Sequence, residues 1–395
     1  LSNALAPALH RQPAYGSGTD RSVAFRAPCE YRIPCAPFAP AVYSSHCVAI
    51  TQDEQSWTWL TPRESVRFAL ACYRADHYGT LLTESTESML KKTGLTSCAD
   101  IMCGSDVIEE LAMFSGLSGG QRRRLSLAIA LAKSPAVLMA DEPTSGLDSA
   151  AAAAIMRLLG ELARDSRVAV VCTIHQPSSA VFAGLDKLLL LTKGCTVYAG
   201  AASGLGDYLV SLKLPVPPGM STVEHALQLT NADFTSATAV DALIGAWAAQ
   251  HRTVATAPAA VIAMPARPQT ADGFRRFRLL FVRLAVVFFN DRRILFLPIV
   301  SSVVLISLLT LVIAPGVRDQ DQNAVWTVWT LLYSLILLVG VNSSMISFLA
   351  YCEWWPLSRR EIRSGTYGPI TYWSALTLAG LPFHTLTSLV AVVAM

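Results

Sequence analysis

The chain has 395 residues, of which 52% are hydrophobic and only 15% charged, and its formal net charge is +3. So small a charge, with no basic patch interleaved with aromatics, gives no argument for nucleic acid, and none is expected as a partner. The mean hydropathy of +0.42 argues against a wholly water-borne chain. The nine cysteines are scattered, without a CxxC pair or a His cluster at metal spacing, which favours reduced thiols over a disulfide framework.

Residues 1–47 are rich in Pro, Ala, Ser and Cys and have no period, so they read as an irregular leader. The chain opens on Leu1 rather than Met and shows no apolar segment of signal-peptide kind there. Order begins with a short strand at 48–50. A helix then opens at Pro62, with Val66, Phe68, Ala69 and Cys72 at helical spacing. Helices are expected near 84–95, 119–132 and 151–165, and unalternating apolar strands at 136–140 and 168–174. Such strands separated by helices mean a parallel sheet covered on both faces. A β-hairpin follows at 186–200, and 213–272 is a Pro- and Ala-rich connector.

Apolar residues dominate from about residue 279. The stretch "GFRRFRLLFVRLAVVFFNDRR" interleaves six arginines with Phe, Leu and Val, predicting an amphipathic helix over 274–290 at a membrane surface. Residues 294–314 carry no charge, and 324–350 and 370–395 are further apolar runs, each long enough to span a bilayer. Arg359, Arg360 and Arg363 follow the second run, whereas the loop "PGVRDQDQN" is acidic on balance. The positive-inside rule therefore puts the front domain and the arginine loop in the cytoplasm of a multi-pass membrane protein.

The chemistry lies in "LSGGQRRRLSLAIALAKSPAVLMADEPTSGLDS", residues 117–149. Asp141 and Glu142 end an apolar strand, at the carboxyl edge of a parallel sheet where ligands collect. A strand-end Asp of this kind helps phosphate-loop nucleotidases hold Mg²⁺, and a neighbouring Glu can orient or deprotonate water. The same pair also suits a plain surface turn. Ser118, Gly119 and Gly120 precede a helix, whose amides and dipole favour an anion. Ser118 suits an N-cap equally well.

Taken in order, "LSGGQRRR", "ADEPTSGLDS" and "TIHQPSS" resemble the nucleotide-binding domain of ATP-binding cassette (ABC) transporters. "LTPRESVRFA", "TKGCTVYAG" and "RREIRSGTYGPITYWSALTLAGLP", with the nucleotide domain in front, look like the G subfamily. The resemblance implies an α/β phosphate-loop-type domain with a parallel sheet over 48–212, followed by an all-α transmembrane domain from 273. It makes Ser118, Gly119, Gly120 and Gln121 the signature motif and Asp141 and Glu142 the Walker B end. Asp148 would be the D-loop aspartate, His175 the switch histidine on the γ-phosphate, and Gln52 the Q-loop residue that senses Mg²⁺.

The phosphate-loop motif G-x-x-x-x-G-K-[ST] occurs nowhere in these residues. "YGSGTDRS" lacks its lysine and its spacing, and the subfamily has six spans where three runs occur here, so the chain reads as truncated at both ends. The expected function is ATP-driven transport of a hydrophobic or amphipathic substrate by a dimer, identical or mixed, with ATP and Mg²⁺ as cofactors. Glu142 would activate water and Asp141 would hold the cation. The alternative is a silent subunit that lends its signature motif to a complete partner.

Overall fold

In the computed structural model the described residues are 46–51, 56–104, 116–166, 168–231, 236–250, 270–313, isolated positions within 326–348, and 351–394. The leader, Gln52 and most of the run 324–350 fall outside them. Two compact units result: residues 1–53 with 135–267, and 54–134 with 268–395.

The first unit is built on a parallel three-stranded sheet in the order β1 (Cys47–Ile50), β2 (Val137–Ala140), β3 (Ala169–Cys172). The register is in step, Ile50 opposite Ala140 and Ala140 opposite Cys172, so the strands end level. That level edge matters, because the chain leaves β2 and β3 through the two acidic and histidine motifs. Helix α4 (Ser149–Asp165) crosses between β2 and β3, burying Ile155, Leu158, Leu159 and Leu162. The expectation of strands covered on both faces fails at β3. Val171 is 56% exposed; with Ala169 it lies on the face of β3 that is left uncovered, while Val170 and Cys172 on the other face are half-buried.

The expected hairpin is present as β4 (Lys187–Thr192) and β5 (Cys195–Ala201). Lys193 and Gly194 have φ of 49° and 76°, the two left-handed residues of a hairpin turn whose twist suits the strands. Tyr198 on β5 packs its ring against Tyr208 and Trp247 at centroid separations of 5.1 and 5.9 Å, closing the small helical cap of this unit.

In the second unit, the helix opening at Pro62 runs Pro62–Tyr73 (α1), and Gly79–Lys92 (α2) and Gly119–Ala132 (α3) follow. Thr61 caps α1 reciprocally with Glu64, a capping box readable in "TPRE". Val66, Leu70, Leu90, Leu95, Leu125 and Ala128 form the common core of these helices. Gly116, just before α3, has no room for a side chain, since an added Cβ would lie 2.6 Å from the Cys103 carbonyl oxygen and 2.9 Å from the Gly104 Cα. Both neighbours are backbone and cannot swing aside. Gly116→Ala is expected to cost about 1–3 kcal/mol by overpacking, read as a lower Tm of the full chain; an unchanged Tm would show that this entry loop yields freely.

The amphipathic stretch forms α9 (Gly273–Asn290, the helices Leu205–Ser211, Thr222–Thr230 and Ala237–Gln250 being α6 to α8 and Ser179–Ala183 α5). Its arginines do not face outward as a set. Arg275 donates to the backbone carbonyls of Ala75 and His77, and Arg283 is buried. The outward face carries Phe274, Val282 and Phe289, which are 77%, 54% and 74% exposed.

Helices α10 (Arg292–Ile313) and α12 (Pro369–Ala394) coincide with the first and third expected runs, and residues 351–363 between them are helical and are labelled α11. Among the described residues no helix is long and apolar enough to cross a membrane. Two arginines open α10, and Pro382 lies inside α12.

Candidate functional site

The expected site residues fall in both units. In the second unit, Ser118 is the N-cap of α3: its Oγ accepts from the Gln121 amide at 3.3 Å, and Gln121 Oε1 accepts from the Ser118 amide at 2.9 Å. The serine therefore has the capping role, and the Gln121 side chain is turned back onto the backbone. Gly119 and Gly120 are the first two helical residues, whose amides have no intrahelical acceptor and point out along the positive end of the dipole. Arg124 fastens the first turn by donating from Nε to the Gly120 carbonyl at 3.3 Å. The tip is thus stiff, glycine-lined and open to an anion.

In the first unit, Asp141, Glu142 and His175 come together at the level ends of β2 and β3. The Asp141 amide donates to the Ile50 carbonyl at 2.9 Å, continuing the β1–β2 ladder by one residue. At Glu142 the chain turns with φ of 47°, and at Gln176 with φ of 44°, both in the left-handed region that non-glycine residues seldom adopt. These paired turns bring Glu142 Oε1 to 3.9 Å from His175 Nε2, the imidazole being 86% exposed and the carboxylate 24%.

Between them stands a residue that the motif reading passed over. Thr173 Oγ1 donates to Asp141 Oδ1 at 2.6 Å and accepts from the Glu142 amide at 2.8 Å. The only signal for it in the sequence is a hydroxyl residue at the end of an apolar strand, two places before the histidine.

Asp148 lies seven residues after Asp141 and has a capping geometry, its Oδ1 accepting from the Ala151 amide at 2.7 Å at the start of α4. The turn before it is closed by the Ser145 amide on the Glu142 carbonyl at 3.1 Å. Gln52 lies outside the described residues.

The donor set suits a hard divalent cation held with the help of phosphates. Among the described residues no three His, Cys, Asp or Glu side chains converge on a metal position, and Asp141 Oδ2 has no protein partner there. Mg²⁺ asks for no more, since it is usually bound through one or two carboxylates, with waters and substrate phosphates completing the octahedron. When bound, it would neutralise charge building up on those phosphates. The chain's own part would be to present one carboxylate oxygen, with a second carboxylate and an exposed imidazole beside it that could take a proton from water.

Comparison with known proteins finds relatives of one kind. Residues 40–145 match the family model described as ABC transporter. ABC transporter G family member 11 of Arabidopsis thaliana is 36% identical over 189 residues, which is 47% of this chain and 26% of that protein. ATP-binding cassette sub-family G member 5 of Mus musculus is 36% identical over 191 residues, covering 47% and 28%. ABC transporter G family member 22 of Dictyostelium discoideum is 36% identical over 186 residues, covering 47% and 30%. The aligned chain thus spans between 26% and 30% of the length of these relatives. These matches support the likeness to G-subfamily ABC transporters.

Proposed function

We propose that this chain, similar over about half its length to G-subfamily ABC transporters, is the nucleotide-binding and first membrane-facing part of a half-transporter. It would couple ATP hydrolysis to movement of a hydrophobic or amphipathic substrate across a membrane. The observation that carries this reading is the edge of the sheet. Asp141 and Glu142 stand at the carboxyl end of β2, and His175 is drawn to 3.9 Å from Glu142, with ABC motif sequence on either side. Asp141 holds the Mg²⁺ that accompanies ATP, Glu142 receives a proton from the attacking water, and His175 meets the phosphate being transferred. Ser118, Gly119, Gly120 and Gln121 close a nucleotide from a second subunit, Asp148 serves as the D-loop aspartate, and Gln52, by its place in the motif order alone, senses Mg²⁺. A dimer follows from that sharing.

Membrane attachment is supported by where large apolar side chains remain exposed. Phe296, Leu297, Val300, Val304, Leu308 and Leu311 on α10 are all more than half exposed, as are Trp326, Trp329 and Tyr333 beyond it. An apolar surface that large marks contact with lipid or another chain. The proposed arrangement has the nucleotide domain at 48–212 in the cytoplasm, the connector at 213–272, and the membrane domain from 273.

A second reading has its own observation: no G-x-x-x-x-G-K-[ST] occurs in the sequence. On that reading the chain supplies its signature motif to a partner's ATP and hydrolyses none itself. Equilibrium binding of labelled ATP with Mg²⁺ to the full chain separates the two. Saturable binding at micromolar to millimolar ATP supports hydrolysis at the chain's own Asp141 and Glu142. No binding over that range supports the silent subunit.

A further inference from the structure

We propose that Thr173 is a positioning residue, a hydroxyl clamp that fixes both the cation-facing carboxylate of Asp141 and the left-handed turn at Glu142. The chemical role of those two groups rests on the nucleotide-site reading above; the clamp itself rests on geometry. Ala140 and Cys172 are register partners at the ends of β2 and β3, so the next residues, Asp141 and Thr173, leave the sheet side by side. The Thr173 amide still makes a ladder bond to the Ala140 carbonyl at 3.1 Å, which holds its Cβ above the turn.

A hydroxyl has one proton to give and lone pairs to receive with, and Thr173 uses both functions on the same turn. Its proton goes to Asp141 Oδ1 at 2.6 Å, the short distance of a hydrogen bond to a carboxylate. Its oxygen takes the Glu142 N–H at 2.8 Å. The first bond stops rotation of the Asp141 carboxylate and leaves Oδ2 as the oxygen that faces a cation. The second gives the Glu142 amide an acceptor in the left-handed conformation, φ of 47°. From that conformation the Glu142 carboxylate reaches to 3.9 Å from His175.

Strand propensity does not explain the hydroxyl. Valine has the same branched shape, and β3 already contains Val170 and Val171. The residue type at 173 is explained by what its oxygen touches.

The test compares Thr173→Val, which keeps the shape, with Thr173→Ser, which keeps the hydroxyl, in the full chain. Two quantities are read: hydrogen exchange at the Glu142 amide, and the affinity for Mn²⁺ in the presence of ATP, by electron paramagnetic resonance. Thr173→Val is expected to speed Glu142 exchange by about tenfold or more, because the amide loses its acceptor. It should also weaken Mn²⁺ by roughly tenfold, the usual cost of losing a group that orients a metal ligand. Thr173→Ser should stay near wild type in both. Equal exchange in the Val and Ser variants overturns the clamp, as does faster exchange in Val with unaltered Mn²⁺ affinity. A wild-type chain that binds no Mn²⁺ with ATP overturns the nucleotide-site reading instead, and the exchange comparison still decides the clamp.

Discussion

Glu142→Gln is expected to lower the rate of ATP hydrolysis by about a hundredfold or more, the range that a positioned general base contributes, with ATP affinity nearly unchanged. The substitution keeps the length and shape of the side chain and exchanges the oxygen that can take a proton for an amide that cannot. It leaves the backbone alone. The Glu142 amide still donates to Thr173, the turn still closes on the Ser145 amide, and glutamine meets the same left-handed conformation as glutamate. Asp141 and the α3 tip, to which the proposed function assigns nucleotide binding, are not altered. The expected signature is therefore a fall in kcat with KM for ATP little moved, the mark of an interaction made in the transition state. Turnover near wild type would remove Glu142 from the chemistry. A wild-type chain that binds ATP and hydrolyses none would place it with the silent subunits.

The parts of this molecule that were legible in the sequence are those fixed by local pattern. The β2 and β3 strands, the helix at 119–132, the hairpin turn at Lys193–Gly194 and the Thr61–Glu64 capping box are each written within a few residues, because apolar period, turn chemistry and caps act over short range. The proximity of Asp141, Glu142 and His175 was readable too, since successive strands of a parallel sheet present their carboxyl ends together. What was not legible depends on partners distant in the chain. Thr173 looks like any strand-end threonine until the register places it against Asp141, 32 residues away. The arginines of α9 looked like a solvated or headgroup-facing set, yet Arg283 is buried against a glutamate 78 residues on. A helical period shows which residues share a face, but not which of two mixed faces turns inward. Outward-facing Phe274 and Phe289 show how that choice fell.

That inward arginine supplies the largest stability effect expected of a single substitution. Glu361 on α11 accepts from Arg283 Nη1 at 2.9 Å and Nη2 at 2.6 Å, from Trp57 Nε1 at 3.1 Å and from the Tyr367 hydroxyl at 2.6 Å. The guanidinium lies over the Phe68 ring at 3.7 Å and the Trp57 ring at 4.5 Å, with its side chain only 5% exposed. Burial works to raise the Glu361 carboxyl, but the charge of Arg283 and the hydrogen bonds from Arg283, Tyr367 and Trp57 outweigh it and hold the group below its ordinary value. Glu361→Ala strands a buried cation and is expected to cost about 3–5 kcal/mol. Replacing both partners by apolar residues of similar size, Arg283→Met with Glu361→Leu, should recover most of that loss, because the price of the pair is mainly its desolvation. The pH dependence follows from the lowered folded value. Stability from Glu361 is fully present above the unfolded carboxyl pKa of about 4.3 and is lost as pH falls through the folded value. Thermal unfolding of the full chain from neutral pH down to pH 3 should therefore show wild type losing more stability than the double variant. Equal acid sensitivity, or a single Glu361→Ala no less stable than the double variant, would mean that the pair contributes nothing to holding α1, α9 and α11 together.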